Sequence, residues 1–96
     1  MNLYLLEQTE NTGWDTYNSC VVASESEEDA KTIYPSKYYT FIDGKWYWVR
    51  CDGNINFHDC ANSEWASTSD NVTATLIGVA ITGTERGVIL ASFNAG

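Results

Sequence analysis

Cys51, His58 and Cys60, with Cys20 on a distant segment, are the soft donors of this chain, and zinc ligation is the chemistry they could serve. Their spacing opposes it. Structural zinc sites present close pairs of the C-x₂₋₄-C kind, whereas Cys51 and Cys60 stand nine apart. His58 and Cys60 would share a strand face as a nucleophile pair, but no third residue orients them and no oxyanion donor accompanies them. A Cys51–Cys60 disulfide would close a short loop, and would need an oxidising compartment. Asp15 with Glu10, or Asp52 with Asp59, could act as paired acid and base. Thirteen acidic residues make such neighbours expected on a solvated surface. Gly83 and Gly87 lack the Lys-Ser/Thr tail of a phosphate loop. These residues predict no metal, no cofactor and no enzyme.

Binding is better served than catalysis. In YYTFIDGKWYWVR, residues 38–50, the Asp43-Gly44 pair is a two-residue hairpin loop. That loop sets Phe41 opposite Trp46 and Tyr39 opposite Trp48 on one side of the ladder. Ile42 opposite Lys45, Thr40 opposite Tyr47 and Tyr38 opposite Val49 fall on the other. The first side is wholly aromatic. It either forms the core beneath a helix or stays open to stack on a base or clasp a partner. Tyr39, Phe41, Trp46, Trp48, Arg50 and Trp65 are the candidate binding residues, and Lys37, Lys45, Arg50 and Arg86 are the cations a phosphate-bearing ligand would use.

The elements that must position these residues follow from periodicity. Residues 2–8 read as a strand apolar on both faces, hence central, and residues 15–23 as its antiparallel partner across the Glu10–Gly13 turn. Ser26 is an N-cap with Glu27, Glu28 and Asp29 in the first turn, and Ser24 with Glu27 offers a second capping register. Ala30, Ile33 and Tyr34 share a face before Pro35 stops the helix at about two and a half turns. After the hairpin, Cys51–Asn54 turns the chain and residues 55–57 form a short strand. Residues 58–71 read as a loop anchored by Trp65, in the core or on a partner. Residues 72–81 and 88–93 are the last two strands. The fold class is α+β, an antiparallel sheet of about six strands with one short helix on a face, in the order ββα, aromatic hairpin, ββ. A single domain, 1–96, accounts for the length.

A net charge of −8 repels nucleic-acid backbones and anionic membranes. It suits either a soluble surface or a basic protein partner. No charged-then-apolar leader opens the sequence and no apolar run is long enough to span a bilayer, so an intracellular soluble protein is expected.

Residues 10–35, ENTGWDTYNSCVVASESEEDAKTIYP, and residues 87–96, GVILASFNAG, resemble small accessory proteins of tailed bacteriophages. The resemblance implies a phage gene product acting in the host cytoplasm. In size and charge the chain is also similar to anti-CRISPR and other anti-defence proteins, which bind without catalysis. The expected function is to bind and inhibit a host bacterial protein, basic in charge and plausibly an immune component. The alternative is a homo-oligomer that sequesters a nucleotide-like signal, its apolar terminal strands serving assembly. Direct nucleic-acid or membrane binding is not expected.

Overall fold

A computed structural model describes residues 1–56 and 64–94. Strand β1 (Asn2–Glu7) pairs antiparallel with β2 (Thr16–Ser24), as the turn chemistry between them predicts. Gln8 holds that turn from inside. Its Oε1 accepts from the N–H groups of Glu10 and Asn11 at 2.8 and 2.9 Å, and its Nε2 donates to the carbonyls of Asn11 and Tyr17. A buried amide stays in place only when its polar atoms are paired in this way.

One turn of helix, α1 (Glu27–Ala30), follows, and it is shorter than its apolar spacing predicts. Ser26 caps it, its Oγ accepting from the Asp29 N–H at 3.1 Å. From Thr32 onward the backbone bonds tighten to i−3, and the Thr32 hydroxyl donates to the Asp29 carbonyl at 2.6 Å, ending the α-helical ladder. Ala30, Ile33 and Tyr34 are buried all the same.

The hairpin of β3 (Tyr39–Ile42) and β4 (Lys45–Val49) has the register expected of a two-residue loop, with Tyr39 opposite Trp48 and Phe41 opposite Trp46. Asp43 at φ 49° and Gly44 at φ 84° supply the paired positive dihedrals that such a turn needs. A short β5 (Ile55–Asn56) pairs with β4. Beyond Glu64 the chain makes a 3₁₀ turn at Ser69–Asn71 before β6 (Thr73–Val79) and β7 (Gly87–Asn94).

The α+β class with antiparallel strands stands, but the single sheet of about six strands does not. Among the described residues, seven strands form two sheets, β6-β1-β2-β7 and β3-β4-β5. The hairpin does not extend the first sheet because its aromatic side packs across that sheet's inner face. Nor do β6 and β7 pair with each other. They flank β1 and β2 on opposite edges, so the 80–86 connection crosses one end of the sheet. Three strand spacings are about 14 Å, within reach of seven residues.

The core lies between the inner face of the larger sheet and a layer of hairpin, α1 and the segment around Trp65. Tyr4, Leu6, Cys20 and Val22 from the sheet meet Ala30, Ile33, Tyr34, Trp46, Trp65, Ala66 and Val72. An aromatic series bridges the layers. Phe93 packs tilted against Tyr17 at 4.7 Å, Tyr17 meets Tyr34 edge-on at 6.5 Å, Tyr34 meets Trp46 at 5.2 Å and Trp46 meets Phe41 at 4.9 Å. Tilted and edge-on pairs of this kind each add about 0.5–1.5 kcal/mol beyond their area burial.

Candidate functional site

Two of the six residues singled out for binding belong to the core. Trp46 and Trp65 have no exposed surface, and the Trp46 indole donates from Nε1 to the Ala66 carbonyl at 2.9 Å. In this fold they hold the layers together and cannot touch a partner. Tyr39 and Phe41 are half-buried against the same cluster, and Trp48 is half-buried opposite Asn56. Arg50 alone of the six is exposed. The aromatic side of the hairpin is therefore interior, because α1 is too short to cover the sheet and the rings take that place.

The surfaces left for binding lie elsewhere. Registered across the four strands, the outer face of the larger sheet presents three rows: Gly78-Leu3-Ala23-Gly87, Thr75-Leu5-Val21-Leu90 and Thr73-Glu7-Ser19-Ser92. Glu7 is the one charged residue in them. None of Leu3, Leu5, Val21 or Leu90 belongs to the core cluster, and Leu90 is 68 % exposed. Both edge strands are exposed and free of charged side chains, with Leu76, Ile77 and Val79 on β6 and Val88, Ile89 and Phe93 on β7 open to solvent. Natural edges are usually blunted by charge, proline or a covering loop. Among the described residues, no charged side chain or proline lies on these edge strands.

Beside the β7 edge stands Trp14, which the sequence reading passed over. Its side chain is 72 % exposed, yet its turn is fixed. Asp15 adopts a positive φ of 59°, its N–H donates to the Asn94 carbonyl at 2.5 Å, and Asn94 Nδ2 donates to the Gly13 carbonyl at 3.0 Å. Thr16 Oγ1 donates to that same carbonyl at 2.7 Å. A tryptophan set in polar turn residues was the available signal. No core position explains it there.

A shallow cleft of about 440 Å³ opens at the foot of the hairpin, lined by Lys37, Tyr38, Val49, Arg50, Cys51 and Gly53. Tyr38 and Val49 are on the hairpin side that faces away from the Phe41–Trp46 pair, and Gly53, at φ 89°, turns the chain so that its N–H donates to the Arg50 carbonyl at 2.9 Å.

The titratable groups describe anchoring. Asp29 lies below the usual carboxylate range, first because Arg86 donates to it in a two-pronged pair at 2.7 and 3.1 Å and then because Ser24 donates at 2.6 Å. This ties α1 to the 80–86 crossing. Glu10 is lowered chiefly by the Asn71 amide at 2.7 Å and by the Ser67 N–H at 3.1 Å. Burial raises the Cys20 thiol to about 12, so it is no nucleophile at neutral pH. Cys51 is exposed. His58 and Cys60, and with them the predicted zinc set, the Cys51–Cys60 disulfide and the His58–Cys60 pair, lie outside the described residues. Among the described residues no cluster of three or more metal-ligating side chains forms, and no helix is long and apolar enough to cross a membrane.

Comparison of the chain with protein-family models, with curated proteins and with solved structures finds no match.

Proposed function

We propose that this chain is a phage accessory protein that binds and blocks a host bacterial protein, a component of bacterial immunity, without chemistry of its own. The observation that carries the reading is Trp14, held 72 % exposed on a turn pinned to Asn94 of β7 and flanked by the uncharged, exposed β7 strand. Rigid exposed tryptophan is the side chain most often found as the energetic anchor of a protein interface. A free edge can add a partner strand through main-chain hydrogen bonds. The surrounding net charge of −8 favours a basic partner and speeds its approach.

The two segments that resemble phage proteins come together at this place. Residues 10–35 contribute Trp14, β2 and α1, and residues 87–94 contribute β7, paired along β2 from Thr16 opposite Asn94 to Ala23 opposite Gly87. The contact surface thus moves from the aromatic hairpin to the Trp14–β7 side. Native mass spectrometry of tagged protein purified gently from a bacterial host tests the proposal. A stoichiometric protein complex that loosens as salt rises, and that is lost with Trp14→Ala, is expected. A chain that emerges bare at every salt concentration, or a complex indifferent to Trp14, would overturn it.

A further inference from the structure

We infer that the cleft at the foot of the hairpin binds a small nucleotide, its phosphates on Lys37 and Arg50 and its base against Tyr38. The chain has only five basic side chains against thirteen acidic ones, and two of the five line this one concavity. Arg86, by contrast, is spent on Asp29. The volume, about 440 Å³, falls within the roughly 300–1,000 Å³ typical of small-molecule sites.

The side chains divide the labour. Arg50 offers a planar fork that suits two phosphate oxygens, and Lys37 offers a mobile point charge. The Arg50 backbone is fixed on both sides, its N–H donating to the Asn54 carbonyl at 2.8 Å and its carbonyl accepting from Gly53. Asp52, two residues on, has its carboxylate engaged by Asn54, accepting from the N–H at 3.0 Å and from Nδ2 at 3.1 Å. These bonds first, and then the Arg50 charge, hold the Asp52 carboxyl below the usual carboxylate range, so a bound phosphate competes with Asp52 for that guanidinium. Tyr38 is 55 % exposed with the Lys37 ammonium 5.8 Å from its ring centroid, and Val49 gives an apolar wall beside it. Base stacking on such a ring contributes about 1–3 kcal/mol in other proteins and tolerates any base. A polyanion is excluded by the field of the whole molecule, but a ligand carrying two or three charges sits within a Debye length of both cations.

Calorimetric titration of the purified chain with adenosine diphosphate, adenosine and inorganic phosphate, at low ionic strength and without any host protein, tests this separately from partner capture. Saturable binding of the diphosphate is expected, with a dissociation constant of about 1 mM or tighter. Lys37→Ala with Arg50→Ala should weaken it at least roughly tenfold, and Tyr38→Leu should weaken the diphosphate but not phosphate. All three side chains are exposed, so the variants should fold, and circular dichroism checks that they do. No saturation by several times that concentration, or equal affinity in the double variant, overturns the site. Phosphate binding as tightly as the diphosphate, with Tyr38→Leu neutral, overturns the nucleotide assignment.

Discussion

The two faces of the β6-β1-β2-β7 sheet are built from alternate residues of the same strands, yet they have opposite fates. On the inner face Tyr4, Leu6, Cys20 and Val22 are at most 6 % exposed and packed under two tryptophans. On the outer face Leu3, Leu5 and Val21, no less apolar, stay half open, and Leu90 at the edge is 68 % exposed. Hydrophobicity alone cannot assign a strand's two faces. What assigns them is the supply of covering elements, and among the described residues the hairpin, one turn of helix and the segment around Trp65 cover a single face.

The largest effect expected from breaking the contrast is at its centre. Trp46→Ala removes a side chain with no exposed surface and its hydrogen bond to Ala66, and should destabilise the protein by about 3–5 kcal/mol. Leu90→Ala, on the other face, should change stability by no more than about 0.5 kcal/mol. Urea unfolding of the two variants measures both. Comparable losses would mean that the outer face is covered after all.

Cys20 sharpens the same contrast through pH. Its thiol is raised to about 12 by burial, above the ordinary value of 9.0. A raised folded value means that the contribution is fully present below about pH 9, where both states are protonated, and is lost as pH climbs toward 12 while only the unfolded chain ionises. Between those limits Cys20 should steepen the alkaline loss by about 1.4 kcal/mol per pH unit. The tyrosines Tyr17 and Tyr34 are also raised by burial, so the contribution is read as the difference in slope between the wild type and Cys20→Ala. No difference would mean that the thiol is already hydrated.

Trp14 tests what the open side is for. Trp14→Ala should leave the unfolding midpoint unchanged and weaken a captured partner at least roughly thirtyfold, the effect of an anchor residue worth about 2 kcal/mol. A variant that loses stability instead would place Trp14 among the structural side chains.

Much of this architecture is legible in the sequence, and what is not has physical causes. The Asp43-Gly44 loop fixed the hairpin register, because a two-residue turn allows one pairing. The central position of β1 followed from residues apolar on both sides, and its antiparallel pairing with β2 from the turn between them. Which aromatic side met the core did not, since that depends on how far α1 extends, and α1 stops where Thr32 bonds back to Asp29. The edge placement of β6 and β7 was equally hidden, being a choice of topology that leaves each strand's pattern unchanged. Trp14 was visible in the letters, but a strand-by-strand reading gives a turn tryptophan no place to be weighed.

The smallest effect concerns the clasp that holds the crossing connection to α1. Arg86 and Asp29 meet at 2.7 Å, with the two side chains 47 % and 37 % exposed, so solvent screening leaves the pair worth about 0.2–1 kcal/mol. Asp29 has a depressed folded value, so its contribution is present above the ordinary 3.8 and fades as pH falls through the lower folded value. Arg86→Ala should therefore cost a few tenths of a kcal/mol at pH 7 and nothing further once Asp29 is protonated, with a smaller gap in high salt. Chemical denaturation at pH 7 of Arg86→Ala in the wild-type and Asp29→Asn backgrounds, with and without salt, resolves this. A loss that persists in the Asp29→Asn background would show that Arg86 acts through its bond to Thr32 at 3.1 Å and its packing, and that the 80–86 crossing is held by shape instead of charge.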